Sequence, residues 1–194
     1  LFEPSDLYIQ KHDVNSCDAF YHEESKCWLF WSTDNTLHVY LRETCMDSFC
    51  PEPRLDHVGM FGYFLAGVSD TSLYVYDWST WALVFNHDFK EQIVSFGIVY
   101  TDIYTLTCNN ELYNGTNIIE TDIDGISCSS KHLFYHNSSH LKTVHHSIEA
   151  KYILALFQDD TYIYALRNRN TIDYWDHALI RKHKLSIPSN ISIQ

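Results

Sequence analysis

Apolar and polar residues alternate in several short stretches of the chain. At residues 72–79, SLYVYDWS, the pattern puts Leu73 and Val75 on one side of an extended strand and Tyr74 and Tyr76 on the other. A period of two is the spacing of a β-strand, whose successive side chains point to opposite faces. No stretch of twelve or more residues keeps the 3.6-residue apolar spacing of an amphipathic helix. The pattern therefore predicts an all-β chain.

Five segments repeat one design, in which two such strands flank a short polar turn. They lie near residues 26–42, 62–79, 102–117, 131–146 and 161–177. Their starting points are 36, 40, 29 and 30 residues apart, which makes a loose internal repeat. Asn and Asp dominate the turns, and both residues tolerate positive φ and bond to their own backbone, as tight hairpins require. The segments predict five β-hairpins.

Shorter apolar stretches beside the hairpins supply companion strands. Innermost strands are expected at residues 18–23, 57–62, 91–100, 123–129 and 152–158, and outermost strands at residues 82–86, 117–120 and 178–186. We expect residues 7–12 to complete the last blade and residues 43–56 to be an insertion between blades. Hairpins with companions at this spacing are typical of a β-propeller. The prediction is one domain over residues 1–194, with about five short four-stranded blades in a small or an incomplete ring.

The hairpins resemble those of WD-repeat propellers. The best match is residues 171–186, where a Trp-Asp dipeptide precedes an outer strand, and Tyr-Asp stands in that place in residues 72–86. The resemblance implies Asp in the hairpin turn and Trp packed between blades. The structural positions of the repeat are then Asp34, Asp70, Trp175 and Asp176. The family's Gly-His pair is absent from all five segments. WD-repeat rings usually have seven blades, so an incomplete ring would leave two open sheet edges that call for a partner strand.

Composition supports a folded sheet protein and narrows its partners. The 194 residues include 14 Tyr, 11 Phe and 5 Trp, and aromatic residues are favoured in strands. Lys and Arg number 13 against 25 Asp and Glu, a net charge of −12, which disfavours binding to nucleic-acid phosphates. No apolar run reaches the roughly 18 residues of a membrane helix. We therefore expect neither direct nucleic-acid binding nor membrane insertion.

The cysteines help to distinguish an intracellular protein from a secreted one. Six of them, at positions 17, 27, 45, 50, 108 and 128, form no CxxC pair. Cys45 and Cys50 would close a small loop in an oxidising compartment, and glycosylation-type triplets begin at Asn114, Asn137 and Asn190. The alternative is free, half-buried thiols in an intracellular protein. We expect an intracellular protein, cytoplasmic or nuclear, with secretion left open.

Catalytic signals are weak. Phosphate-binding glycine loops, the GxSxG elbow and the HExxH motif are absent, and we predict no catalytic residue, no cofactor and no metal site. His136 and His140 flank a turn where the two rings would face each other, and zinc would need a third ligand. The alternative is surface histidines in a chain that has 12 of them. The alternative class is a secreted carbohydrate-binding or glycoside-cleaving five-bladed propeller with carboxylates around its central funnel. Its candidate acids are Asp18, Asp102, Asp124 and Asp159.

The function predicted from these observations is that of a non-catalytic scaffold for protein–protein interaction. The chain would be a WD-repeat-like subunit of a larger assembly, and its partners would be other protein subunits. Rigid blades fix loops in place, so a partner docks with little ordering of the scaffold. The predicted contact residues are Trp81, expected to be the most exposed Trp, together with Cys45, Phe49, Cys50 and Pro51.

Overall fold

The structure, a computed structural model, describes residues 16–22, 25–41, 44–129, 131–159, 161–168, 171–180 and 182–186. These residues contain twenty β-strands in five four-stranded antiparallel sheets. Each sheet takes four consecutive strands in chain order, so every strand pairs with a neighbour in the sequence. The prediction of an all-β chain with five four-stranded blades is confirmed.

The strands group into blades as follows. Blade 1 contains β1 (Ser16–His22), β2 (Cys27–Ser32), β3 (Leu37–Leu41) and β4 (Thr44–Phe49). Blade 2 contains β5 (His57–Phe61), β6 (Phe64–Ser69), β7 (Ser72–Asp77) and β8 (Ala82–Asp88). Blade 3 contains β9 (Ile93–Val99), β10 (Asp102–Thr107), β11 (Leu112–Asn114) and β12 (Asn117–Glu120). Blade 4 contains β13 (Gly125–Cys128), β14 (Leu133–His136), β15 (His140–Lys142) and β16 (Ser147–Glu149). Blade 5 contains β17 (Ala155–Gln158), β18 (Tyr162–Asn168), β19 (Thr171–Asp176) and β20 (Lys182–Ser186).

The second and third strands of each blade form the hairpins, and all five hairpins lie within the segments that the sequence pattern selects. Three of the turns use the backbone conformation expected of their residues: φ is +70° at Asn35, +55° at Asp70 and +61° at Asn110. Asn and Asp reach this left-handed region at less cost than other residues with a Cβ. The polar turns therefore separate the paired strands as predicted from local chemistry.

Apolar side chains from consecutive blades meet in four buried cores. Leu29 and Val39 of blade 1 pack with Leu65 of blade 2, and the other face of blade 2 packs on blade 3 through residues such as Val75 and Ile98. Two further cores join blade 3 to blade 4 and blade 4 to blade 5. Among the residues that the structure describes, no buried core joins blade 5 to blade 1. The five sheets therefore pack one after another in a row, which we call the file. Each of the three middle blades in the file is covered on both faces.

The first strands of blades 2 to 5 approach one another along the inner side of this file, where β5 contacts β9, β9 contacts β13, and β13 contacts β17. Gly97 in β9 permits one of these contacts. A Cβ at this position would lie 2.3 Å from the Cβ of Cys128 in β13, a distance far below van der Waals contact. Absence of a side chain thus sets the spacing of blades 3 and 4.

Two details of the sequence interpretation were wrong. The segment 43–56 is not only an insertion, because it contains β4, the outermost strand of blade 1. An outermost strand with both faces near solvent needs no apolar alternation, so the period-two signal is missing there. His136 does not face His140: it pairs with Leu141, and His140 pairs with Glu149. The predicted terminal strand at residues 7–12 lies outside the described residues.

Candidate interaction surface

The predicted contact residues lie together at the outer junction of blades 1 and 2. We call this region the β4 surface; it comprises Cys45, Met46, Asp47, Phe49, Cys50, Pro51 and Trp81. Met46 is 60% exposed, and both cysteines are exposed. The surface forms here because β4 pairs with β3 on one side only and leaves its side chains at the rim of blade 1.

Trp81 is held against β4 instead of projecting into solvent. It occupies the turn between β7 and β8 with φ of +56°, and its ring stacks on Phe49 with centroids 4.6 Å apart and planes 4° from parallel. The indole Nε1 donates a hydrogen bond of 2.8 Å to Oδ2 of Asp47. Trp81 is therefore half-buried, because Phe49 and Asp47 satisfy both its apolar and its polar parts.

Phe49 connects this stack to the core between blades 1 and 2. Its ring meets the edge of Tyr76 at a centroid distance of 5.1 Å, and Tyr76 is only 4% exposed. The Tyr76 hydroxyl donates a 3.3 Å hydrogen bond to the carbonyl of Glu52. Burial, with a smaller contribution from Tyr74, raises the pKa of Tyr76. The aromatic stack is thus anchored to a buried, neutral side chain.

Asn35 fixes the segment that follows β4. Its side-chain Nδ2 donates to the Pro51 carbonyl at 2.9 Å, and its Oδ1 accepts from the Leu55 backbone N–H at 2.9 Å. Asn35 is 7% exposed, so one buried amide ties the β2–β3 turn to the connection between blades. Pro51 is itself buried, which removes it from the accessible part of the β4 surface. The sequence did not mark Asn35 as more than a turn residue, since its two partners lie 16 and 20 residues away.

The positions implied by the WD-repeat resemblance lie at turns and in a core. The exposed Asp34 carboxylate accepts hydrogen bonds from the Ser32 hydroxyl and, at 3.1 Å, from the Thr36 N–H. Asp70 is an exposed turn residue. Trp175 is 2% exposed in the core between blades 4 and 5, with Nζ of Lys182 5.6 Å from its ring centroid.

Asp176 closes the turn that follows Trp175. Its Oδ1 accepts from the Ile180 N–H at 2.8 Å. Asp77 of blade 2 does the same after β7, accepting from the Ser79 N–H at 2.8 Å and from its hydroxyl at 2.6 Å. These bonds lower the pKa of Asp77. The carboxylate that follows the aromatic residue is therefore a recurrent turn-forming group in this chain.

The carboxylates proposed for glycoside cleavage do not have the surroundings of a catalytic acid. Asp102, Asp124 and Asp159 are exposed, and the side chain of Asp18 lies outside the described part. Asp159 accepts 2.7 Å hydrogen bonds from the Thr161 N–H, the Tyr162 N–H and the Tyr164 hydroxyl. These bonds lower the pKa of Asp159, whereas the general acid of a glycosidase needs a raised one. Asp159 is suited to forming a turn.

Histidines and cysteines are the side chains most suited to bind a transition metal. The rings of His132 and His177 contact each other between blades 4 and 5, with centroids 4.2 Å apart and planes tilted by 52°, and the sequence did not indicate this pair. Burial, then the His177 charge, lowers the pKa of His132. Within the described residues no group of three His, Cys, Asp or Glu side chains has the geometry to hold a metal ion. Five cysteines are free thiols there: Cys27, Cys45, Cys50, Cys108 and Cys128.

The sequence pattern did not indicate the cluster of charged side chains around the buried Asp173. Asp173, 3% exposed in β19, lies with its Oδ2 2.6 Å from Nε of Arg167 and 2.9 Å from Nζ of Lys182. Arg167 also donates to the Lys151 carbonyl at 2.9 Å. Two cations compensate the buried carboxylate, as such a group requires. The cluster joins the hairpin and the outer strand of blade 5 and has a structural role.

The folded arrangement is that of a WD-repeat-like β-propeller. No family model and no curated protein matches the sequence. Solved structures do match: Hsv2 of Kluyveromyces marxianus has a TM-score of 0.62 at 14% identity, covering 87% of this chain and 65% of that one. Hsv2 of Kluyveromyces lactis, with loop 6CD complete, has a TM-score of 0.63 at 13% identity, covering 88% and 63%.

A chain of the mitotic checkpoint complex is a third neighbour, with a TM-score of 0.62 at 9% identity, covering 94% of this chain and 68% of that one. At these identities the likeness concerns the fold. The chain spans slightly less than two thirds of either Hsv2 structure described above. Among the described residues, no helix has the length and apolar character needed to cross a bilayer.

Proposed function

We propose that the chain is a non-catalytic scaffold that binds another protein subunit through the β4 surface, as part of a larger assembly. One observation carries the proposal: Met46, 60% exposed, lies on β4 beside the stacked rings of Phe49 and Trp81. Met and aromatic residues are enriched at protein interfaces, and buried aromatic anchors often dominate their binding energy. The neighbour from the mitotic checkpoint complex, an assembly by name, is consistent with such a role.

The contacts around Phe49 and Trp81 explain how such a surface would work. Stacking, the Asp47 hydrogen bond and the Tyr76 contact already fix the rings in the free protein. A partner that covers them does not have to immobilise them, so less binding free energy is lost to ordering. The net charge of −12 favours a partner with basic groups at the rim, because opposite charges steer association.

The proposed setting is inside the cell, in the cytoplasm or the nucleus. Its support is the free state of Cys45 and Cys50, which lie exposed and unbridged on the β4 surface. Thiols of this kind persist in reducing compartments, whereas secreted proteins tend to form disulfides. Direct binding to nucleic acid is not part of the proposal, since the net charge opposes it.

The test compares two charge substitutions at exposed positions. Met46→Asp alters the β4 surface, and Val144→Asp alters the β15–β16 turn of blade 4, where Val144 is 58% exposed. Tagged chains are purified from the source cells and their stoichiometric companions identified by mass spectrometry. We expect Met46→Asp to reduce recovery of one companion about tenfold, the effect of losing a contact near 1.4 kcal/mol, and Val144→Asp to leave it unchanged. A wild-type chain that purifies alone, or equal recovery with both variants, contradicts the proposal.

A further inference from the structure

The outer strand of blade 5 differs in charge from the outer strands of the other blades. β20 contains Lys182, His183 and Lys184 and no acidic residue, and all five of its side chains are exposed. The outer strands β4, β8, β12 and β16 contain no Lys or Arg, and each has one carboxylate. Residues 1–150 hold 7 Lys and Arg against 21 Asp and Glu, whereas residues 151–194 hold 6 against 4. A basic edge therefore lies on an otherwise acidic chain.

The cations at this edge are only partly neutralised. Nζ of Lys182 lies 2.9 Å and Nε of Arg167 lies 2.6 Å from the same Oδ2 of Asp173, so two positive charges meet one negative charge. Lys184 is opposite Asp173 in the register of β19 and β20, yet its ammonium group forms no ion pair with a carboxylate in the part of the chain that the structure describes. The three cations around Asp173 therefore leave two positive charges uncompensated.

The two faces of β20 differ, and several of their side chains are held in place. On the face with the two lysines, Nζ of Lys182 lies 5.6 Å from the ring centroid of Trp175. On the opposite face, the His183 ring stacks on Tyr174 with centroids 4.8 Å apart, and Leu185 is 53% exposed. One face is thus basic and the other largely apolar. A partner that covers side chains already fixed in this way loses less binding free energy to their ordering.

β20 also offers an open backbone edge. It pairs with β19 on one side, and no strand of the described residues pairs with its other side. Along such an edge the N–H and C=O groups of every second residue point away from the sheet, and an extended peptide is able to add there through backbone hydrogen bonds. Lysines on an edge strand oppose pairing with a cationic or apolar strand and favour a strand that brings carboxylates. The charge of the edge therefore selects its partner.

We propose that an acidic, extended segment of a protein partner adds to blade 5 as a further strand beside β20. The side chains of a paired strand alternate in step with those of β20. Carboxylates two residues apart would therefore face Lys182 and Lys184, and the apolar residues between them would cover Leu185. The sequence of the segment is acidic, apolar, acidic, apolar. This contact is separate from the β4 surface and does not depend on it.

The acidic remainder of the chain does not prevent this contact. At physiological ionic strength the Debye length is about 8 Å, so exposed charges that lie farther than this from β20 are largely screened. The lysines that face the segment directly then decide the sign of the interaction. Because exposed ion pairs are screened as well, binding is expected to weaken as the salt concentration rises.

A short peptide tests the proposal on the purified chain. The probe is fluorescently labelled Gly-Glu-Val-Glu-Val-Glu-Gly with blocked ends, and its binding is measured by fluorescence anisotropy. One control peptide has Lys in place of Glu, and the other has the same composition with its three Glu adjacent. We expect the alternating acidic peptide to bind most tightly, to lose affinity at high salt and to shift the backbone amide NMR signals of β20.

N-methylation separates strand addition from simple charge attraction. Methyl groups on the backbone nitrogens of the alternating peptide remove its hydrogen-bond donors and leave its charge unchanged. If the peptide pairs with the edge of β20, N-methylation is expected to reduce its affinity at least tenfold. Binding that survives N-methylation overturns the proposal.

Substitutions in the protein locate the contact. Lys184→Glu reverses one charge of the edge and is expected to weaken binding of the alternating peptide about tenfold, with a smaller loss for Lys184→Gln. Lys90→Glu, the same change at an exposed position before β9, is expected to leave binding unchanged. Circular dichroism checks that all three variants are folded. Equal losses in Lys184→Glu and Lys90→Glu contradict the proposal.

The remaining outcomes also decide between interpretations. No binding of the alternating peptide, equal binding of the three peptides, or binding of phosphatidylserine vesicles without binding of the peptide overturns the proposal. Met46→Asp is expected to leave peptide binding unchanged, since the β4 surface is a different site. If Met46→Asp loses its companion in purification while the peptide does not bind the wild-type chain, the scaffold function stands and the strand-addition proposal fails. If the peptide binds as expected while the wild-type chain purifies alone, the strand-addition proposal stands and the scaffold function fails.

Discussion

Gly97 shows how one missing side chain decides the contact between two blades. In Gly97→Ala the new Cβ would fall 2.3 Å from the Cys128 Cβ and 2.6 Å from its sulfur, so β9 and β13 must separate. Overpacking of this kind typically costs about 1–3 kcal/mol. We expect the free energy of unfolding, measured by urea denaturation, to fall by that amount.

Removing the opposing side chain provides the control for Gly97→Ala. Cys128→Gly deletes both contacting atoms, so the double variant Gly97→Ala, Cys128→Gly is expected to lose less stability than the sum of the single variants. Val94→Ala, at a 60% exposed position of the same strand, should change stability little. Strict additivity of the two single losses would contradict the steric explanation.

The histidines of blade 4 predict a fall in stability at mildly acidic pH. Burial is the main cause that lowers the pKa of His136, which is 5% exposed, and it also lowers the pKa of His132. Below pH 6.5, the ordinary value, the unfolded chain therefore binds more protons than the folded one, and stability decreases as pH falls. Each group contributes at most about 1.4 kcal/mol per pH unit.

Urea denaturation at intervals from pH 7.5 to 5 measures this dependence. We expect His136→Gln to flatten the slope and His145→Gln, at an exposed position of the same blade, to leave it unchanged. Keeping the pH above 5 leaves the Asp and Glu side chains of the unfolded chain largely ionised, since their ordinary pKa values are about 4, so they contribute little to the slope. A pH-independent stability in this range would contradict the assignment.

At the scale of elements, the turn between β2 and β3 holds the inter-blade connection through Asn35. In Asn35→Ala, both buried hydrogen bonds are lost and a Cβ residue without local side-chain bonding must keep φ of +70°. In Asn35→Gly, the bonds are lost but the backbone is unstrained. We expect losses in unfolding free energy of about 3 kcal/mol for Ala and about 2 kcal/mol for Gly. A larger loss for Gly than for Ala would contradict this account.

The strands and hairpins were predictable because they depend on local alternation. Leu73 and Val75 face one side of β7, as the pattern indicated, and polar turns separate the paired strands. β4 was not recognised as a strand, since its exposed sequence TCMDSF needs no alternation.

The β4 surface was predicted only in part. Five of its seven residues were named from the sequence, and Met46 and Asp47 were not. The stack of Trp81 on Phe49 and the Asp47 bond join residues 32 and 34 positions apart. Such contacts depend on how blades 1 and 2 pack, which a local pattern does not contain. Whether the surface binds a partner stays a prediction.

At the scale of the whole molecule, four inter-blade cores join the five blades that the structure describes. Within that part of the chain, blade 3 is covered on both faces, and blades 1 and 5 on one each. When each unit contacts only its neighbours, stability is close to a sum of unit and interface contributions, so the ends open first. In hydrogen exchange, we expect amides of β2 and β18 to exchange faster than those of β10. Equal protection of all three strands in the isolated chain would contradict an open file and indicate that blade 5 contacts blade 1.

The pairing of every strand with its neighbour in the sequence has a consequence for synthesis. The four strands of blade 2 pair only with one another and lie between His57 and Asp88, so a sheet is complete once that short length has left the ribosome. At about 5–20 residues per second, one blade emerges roughly every two to six seconds, far longer than the microseconds in which a hairpin forms. Each sheet is therefore able to assemble before the next one is translated. The strands of each new blade then pack on a preceding blade that is already folded.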